Sequence, residues 1–210
     1  MSAEGLLLMA WTLWCALHSL LIANSSMAFQ RRLLGRGFRF QRAAYVAFSL
    51  VTLIPLIQVT KGLDPEPVLV WTGLGRLVPA VGLALAALLF IAGGRHYSAG
   101  QFLGLAQWRS GTNSRLLSGG SALDTSGVLG LLRHPWYTAT FLLLWSRNLT
   151  ALEIQVNGLL SIYLVVGTLL EERKLVQEFG DRYLDYQRRV SMFVPWKWLR
   201  ARMAMIRNAR

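Results

Sequence analysis

The sequence predicts an all-α, polytopic membrane protein of about five transmembrane helices, closing with a helical hairpin and an amphipathic cytoplasmic helix. Three observations predict it. Of 210 residues, 54% are hydrophobic and only 15% charged, where soluble domains carry about 25% charged residues; the mean hydropathy is +0.41. Uncharged runs of near-spanning length recur along the chain. The basic residues that give a net charge of +12 gather in the segments on one side of those runs.

The runs justify the helices one by one. Residues 5–23, 43–60 and 77–94 hold 19, 18 and 18 positions without a charge, and about 20 such residues cross a bilayer core. Pro55 stands inside the second run and is expected to kink it. The first run lacks a basic leader and a small-residue cleavage site, so it is expected to stay as a span and not to be a cleaved signal. The fourth segment is less simple, because residues 135–146 give only 12 uncharged positions. Extending it back to Gly127 reaches spanning length but draws Arg133 and His134 into the membrane zone. Residues 154–170 give 17 more, and the short "SRNLT" between the two segments predicts a hairpin. The expected organisation is a three-helix half over 1–94, a cytoplasmic loop over 95–126, a hairpin with its C-terminal helix over 127–196, and a basic tail over 197–210.

Charge sets the expected orientation. Arg31, Arg32, Arg36, Arg39 and Arg42 lie between the first two spans without an acid among them, and residues 171–210 hold ten basic residues against five acids. Basic loops stay in the cytoplasm, which puts the N-terminus out and the C-terminus in, across what is expected to be a bacterial inner membrane. The charge is thus read as topology and contact with anionic lipid, not as a nucleic-acid surface. Cys15 is the one cysteine, so no disulfide framework and no cysteine metal site are expected.

Past the fifth span, Leu175, Phe179, Tyr183, Tyr186 and Val190 step by four, four, three and four, the period of an amphipathic helix. A helix lying on lipid accounts for that stripe. Gly180 allows a bend, with Asp181 an expected N-cap for the second piece. Pro195, Trp196 and Trp198 then mark a return to the membrane interface. The lipid reading leaves Glu171 and Glu172 unexplained, two adjacent acids at the end of a span. Arg133 and His134 stand at the matching end of the fourth segment, where ionisable groups are expensive and usually functional. A tight hairpin brings the two pairs to one level, with Tyr137 a turn along from Arg133 and His134. The result is either an interhelical ion-pair lock or a pocket for a small zwitterionic ligand.

With these residues in view, "LDTSGVLGLLRHPWYTA" and "LLEERKLVQEFGDRYLDYQRRVSMFVPW" resemble the integral-membrane methyltransferases related to isoprenylcysteine carboxyl methyltransferase and phospholipid methyltransferases. Their pattern runs G-x5-R-H-P-x-Y-x-G, then E-E, then F-G-x-x-Y-x-x-Y and a closing proline. Gly127, Arg133, His134, Pro135, Tyr137, Glu171, Glu172, Phe179, Gly180, Tyr183, Tyr186 and Pro195 match, while Ala139 replaces the final glycine of the first motif. The resemblance covers about residues 123–196. It implies S-adenosylmethionine as cofactor, bound by a set that includes Pro135, with Arg133, His134 and Tyr137 holding the methionine end and Glu171 and Glu172 the adenosine end. No dedicated catalytic group is implied, with His134 the one candidate for proton transfer. More loosely, the N-terminal half and "HYSAGQFLGLAQW" are similar to the bacterial branch that methylates small thiols. That places His18, His96, Gln101 and Trp108 on the substrate side, with a small thiol or a lipid-like molecule as acceptor. Membrane sterol reductases share the R-H-P and Y-type motifs with a nicotinamide cofactor, and together with a non-catalytic accessory protein they form the alternatives.

Overall fold

The computed structural model describes residues 2–64, 66–96, 100, 103–105 and 123–208. Helices dominate the described residues: α1 Ala3–Ile22, α2 Asn24–Leu34, α3 Gln41–Leu63, α4 Leu77–Gly94, α5 Pro135–Trp145, α6 Ala151–Phe179, α7 Asp181–Arg189 and α8 Trp196–Asn208. Short 3₁₀ turns at Gly35–Phe40, Gly73–Arg76 and Gly127–Gly130 join them. Two short strands, β1 Pro67–Leu69 and β2 Leu149–Thr150, pair antiparallel and were not expected from the sequence. Four helical stretches are long and apolar enough to cross a bilayer: Ala3–Ile22, Ser25–Leu63, Gly73–Gly94 and Ala151–Phe179. The chain is an integral membrane protein.

The fourth expected segment takes a different form from the other spans. Its regular helix, α5, has 11 residues, roughly 16 Å at 1.5 Å per residue, about half a hydrocarbon core. The helix starts where it does for a local reason. Pro135 is its first residue, where a missing N–H costs nothing, and His134 before it is kept out of the helical region, at φ −127° and ψ 66°, by the proline ring. Arg133 and His134 therefore lie on irregular backbone, outside the helix.

The chain divides into two compact units. The first is built from Met1–Thr72, Ser98–Leu116 and Arg147–Tyr163. Here α1 runs antiparallel to α3 through polar rungs inside apolar helices. Trp11 Nε1 donates to Thr60 Oγ1 at 3.0 Å, Trp14 Nε1 to Thr52 Oγ1 at 2.9 Å, and His18 meets Tyr45 and Ser49. Leu7 and Trp11 pack on Leu152 and Val156 of α6. The start of α6 is fixed by a reciprocal cap: Thr150 N donates to Glu153 Oε2, and Glu153 N to Thr150 Oγ1, both at 3.1 Å. That is the capping box a T-x-x-E sequence specifies, and Arg147 pairs with the same glutamate.

The second unit is built from Gly73–Tyr97, Leu117–Ser146 and Leu164–Arg210. Its α4 and α5 lie antiparallel at a distance set by small residues. A Cβ on Gly82 would fall 1.9 Å from Ser146 Oγ, and one on Gly93 2.4 Å from Trp136 Nε1. Ala86 and Ala139 are buried here, so the alanine that replaces the motif's glycine is accommodated. Gly180, at φ +57°, breaks the helical path between α6 and α7. It is Gly180 that occupies the N-cap, correcting the expectation for Asp181, which takes the first helical position.

The apolar stripe has the predicted period but faces protein. Leu175, Tyr183, Tyr186 and Val190 form a buried cluster, and Tyr186 Oη donates to Leu129 O at 2.7 Å. Burial in the protein, not lipid, explains the spacing. The return chain zips onto the arginine–histidine segment, with Arg133 N donating to Ser191 O at 2.9 Å and His134 N to Met192 O at 3.2 Å. The basic tail is itself the helix α8, whose Arg200 and Arg202 lie over the Trp196 and Trp198 rings at 5.1 and 5.6 Å.

Candidate functional site

All of the site described here belongs to the second unit. The segment 131–134, pinned by Pro135 on one side and by Ser191 and Met192 on the other, aims the Arg133 guanidinium and the His134 imidazole at α6. Glu172, on the penultimate turns of α6, receives them. Arg133 Nε donates to Glu172 Oε1 at 2.6 Å and its Nη2 to Oε2 at 3.1 Å, the two-pronged geometry that a guanidinium and a carboxylate favour. His134 Nε2 lies 3.1 Å from Glu172 Oε1. From α7, Gln187 Nε2 donates to Oε2 at 2.8 Å and the Tyr183 hydroxyl reaches Oε1 at 3.4 Å. The remaining guanidinium nitrogen of Arg133 donates to Val190 O and Gln187 O at 2.5 and 3.2 Å. Glu172 and His134 are 6% and 4% exposed, so this is a buried, fully hydrogen-bonded hub.

Glu171 is treated differently. Among the described residues its Oε2 is buried without a hydrogen-bond partner and sits 3.8 Å from His134 Nδ1, beyond hydrogen-bond reach. A buried acceptor left unpaired costs about 1–3 kcal/mol, and an ionised one costs more. The neighbouring glutamates therefore divide their duties: one is saturated by protein donors, the other holds an acceptor open.

Beside the hub lies a half-open cleft of about 470 Å³ including its mouth, with His96, Asp124, Arg133 and His134 as its polar lining and Leu129 and Leu175 among its apolar walls. Burial, reinforced by the adjacent Glu172 charge, pushes the Tyr183 phenol up, which keeps it a neutral donor at any working pH. Asp124 goes the other way. The Ser126 backbone N–H, His96 and the Ser126 hydroxyl hold its carboxyl at about 2.

The structure thus brings Arg133, His134, Glu171 and Glu172 together. Pro135 is buried in the first turn of α5, and the Tyr137 ring stands edge-on to His134 at 5.3 Å between centroids. His96 lines the cleft. His18 belongs to the first unit, stacked on Trp14 at 4.8 Å and hydrogen-bonded at both ring nitrogens, to Tyr45 Oη and Ser49 Oγ. Gln101 and Trp108 lie outside the described residues.

Sequence reasoning missed three participants. Gln187 stands four residues after Tyr183, so the two share a helix face and could have been found together. Tyr183 was read as part of an apolar stripe, without its hydroxyl. Asp124 opens "DTS", an aspartate that binds its own chain two residues on: its Oδ1 accepts from Ser126 N at 2.9 Å and from Ser126 Oγ at 2.7 Å.

Comparison with known proteins is consistent along the chain. It is 29% identical over 194 residues to the methanethiol S-methyltransferase of Pseudomonas deceptionensis, a match covering 88% of this chain and 70% of that protein. It is 40% identical over 67 residues to methanethiol S-methyltransferase 1 of Bradyrhizobium diazoefficiens, covering 31% of this chain and 24% of that one. To methanethiol S-methyltransferase 2 of the same organism it is 29% identical, with 77% of this chain and 62% of the relative covered. No protein-family model and no solved structure matches the chain.

Proposed function

We propose that this chain, a relative of the bacterial methanethiol S-methyltransferases, is a membrane-embedded enzyme that moves a methyl group from S-adenosylmethionine to a small thiol. The observation that carries the proposal is the extent of the Pseudomonas match: at 88% of the chain it cannot avoid the segment joining the two polar pairs. The relatives' names lend nothing to a nicotinamide-dependent reductase. We further place the protein in the bacterial inner membrane, N-terminus out and C-terminus in, on the distribution of its arginines and lysines.

The residues present fit a ligand of that chemistry. Glu171 Oε2 is a buried acceptor in want of a donor, which ribose hydroxyls or an ammonium group offer. The cleft that His134 lines has apolar and aromatic walls for a nucleoside. When bound, S-adenosylmethionine supplies a methyl group already activated by its sulfonium, so the protein's share is alignment and exclusion of water. Glu172 acts through its neighbours, fixing the Arg133 fork and the His134 ring. Tyr137 limits the ring's rotation from its open side. Glu171 makes the direct contact. A small thiol needs only a compact apolar space next to this set, without an opening to lipid.

Ligand-dependent melting of the detergent-solubilised protein tests the reading. S-adenosylhomocysteine at 100 times its dissociation constant stabilises a folded protein by about 2.7 kcal/mol, and the expected result is a raised melting temperature with NADPH silent. In Glu171→Gln the shift shrinks or vanishes while the melting temperature without ligand is held or raised. A shift with NADPH alone overturns the proposal in favour of a reductase; silence from both leaves a non-catalytic membrane protein.

A further inference from the structure

A thiol acceptor poses a chemical problem. Thiols of this kind ionise near pH 8.5 or above, so near neutrality only a few per cent is the thiolate that attacks carbon. A base at the site would remove that limit. The chain holds three histidines, and their hydrogen bonds separate them. Both ring nitrogens of His18 have hydroxyl partners. His134 Nε2 is engaged by Glu172 at 3.1 Å, and its Nδ1 faces the Glu171 carboxylate at 3.8 Å.

His96 differs. Its Nδ1 lies 2.7 Å from Asp124 Oδ2, and among the described residues its Nε2 has no hydrogen-bond partner. Asp124, ionised at any working pH, can only accept, so the proton of the neutral ring sits on Nδ1 and the lone pair on Nε2. That nitrogen has room. It lies over Gly127, where an added Cβ would be 2.8 Å away and where φ is +54°, so the glycine serves both the turn and the clearance. His96 also stands just past the C-terminus of α4, its backbone N–H bonded to Gly93 O at 2.9 Å. A proton arriving on the ring thus meets a carboxylate and the negative end of a helix. The other titratable groups on the cleft are Arg133, His134, Tyr183 and Tyr186. Arg133 and His134 are tied to Glu172, Tyr183 reaches the same carboxylate, and Tyr186 donates to Leu129 O.

We infer that His96 is the general base of this site and Asp124 its positioning residue. This deepens the thiol reading and rests on it. The S–H bond of the acceptor breaks, its proton passes to His96 Nε2, and the electron pair stays on sulfur as thiolate. The imidazolium then returns the proton to solvent through the open side of the cleft.

Two acceptors and one spectrum test this in the full-length, detergent-solubilised protein. With an alkyl thiol, His96→Gln is expected to lose about 10²–10⁴-fold in kcat/KM, the usual share of a general base, while a nitrothiophenol already ionised at the assay pH reacts within about threefold of wild type. The ascending limb of the wild-type pH profile should move in His96→Gln to the ionisation of the free thiol. In the presence of S-adenosylhomocysteine, binding of the alkyl thiol should develop the ultraviolet band of a thiolate in wild type and not in His96→Gln. Asp124→Asn, whose amide must turn a donor toward Ser126 or His96 Nδ1 where both carboxylate oxygens accept, gives a loss confined to the alkyl thiol and serves if His96→Gln does not fold. Equal losses with both acceptors, or an undiminished thiolate band in His96→Gln, overturn the base assignment. Wild-type protein that methylates neither thiol overturns the thiol reading itself, and the base with it.

Discussion

Each unit of this protein sets a histidine among apolar helices, half-buried in the first and buried in the second, and the two histidines are kept in opposite ways. His18, in the first unit, is held by neutral groups: Tyr45 Oη at 2.5 Å, Ser49 Oγ at 3.1 Å and a stacked Trp14. Its hydrogen-bonding capacity is used up, and the cluster ties α1 to α3. His134, in the second unit, is held by charge. It shares Glu172 with Arg133, and beside it an acceptor oxygen on Glu171 has nothing to bind. Polar residues inside apolar helices therefore do not all carry the same meaning. Saturation by neutral partners marks a lock between helices. An orphan atom next to a saturated charged hub, with a cleft alongside, marks a site.

The largest expected effect falls on the charged cluster. Glu172→Gln leaves the Arg133 guanidinium buried with its bidentate partner gone, and removing one member of a buried pair costs about 3–5 kcal/mol. Unfolding in mixed micelles should show a loss in that range, together with loss of the S-adenosylhomocysteine shift. A loss under about 1 kcal/mol would mean that the hub is as loosely built as a surface pair. The distinction between the two clusters would then fail.

That hub was largely legible in the sequence, and the reasons are specific. Arg133 and His134 stood out because ionisable groups in an apolar segment are costly, and Glu171–Glu172 because two adjacent acids repel. A short turn between their segments was enough to predict their meeting. The division of labour between the two glutamates was not legible, since neighbours in sequence differ only through what packs against them. The donors from α7 show the same limit. Gln187 reaches Glu172 because Gly180 turns the chain there, and a turn angle is not read from spacing alone. The length of α5 escapes the sequence for a local reason, the non-helical residue that Pro135 imposes on its predecessor. The capping box at Thr150 and Glu153 was readable in principle from "TALE" but overlooked inside a loop expected to be a plain turn.

A smaller effect tests the neutral cluster. Tyr45→Phe removes one hydrogen bond between membrane helices, worth about 0.6 kcal/mol on average and at most roughly 1.7. The same unfolding assay should register that loss, and the S-adenosylhomocysteine shift should persist unchanged. A Tyr45→Phe protein that lost the shift would join the first unit's cluster to cofactor binding and erase the contrast.

The smallest effect comes from the Asp124 carboxylate at the lip of the cleft, and its sign can be worked out. Asp124 is held at about 2 by the Ser126 backbone N–H, His96 and the Ser126 hydroxyl, below the ordinary carboxylate value near 3.9. A carboxylate depressed in the folded state adds stability that is complete above its unfolded value and is lost as pH falls through the folded one. The stabilising difference between wild type and Asp124→Asn should therefore be constant above about pH 5 and disappear between pH 4 and about 2. Asp124's side chain is 49% exposed, so solvent screening holds the difference to the order of 1 kcal/mol or less. Melting temperatures of the two proteins across that pH range measure it. A difference that grew on acidification would mean that Asp124 is bound in its protonated form, and it could not then fix the His96 tautomer. A difference that shrank as described would leave Asp124 charged wherever the enzyme works, with the Nε2 lone pair of His96 free for an acid to use.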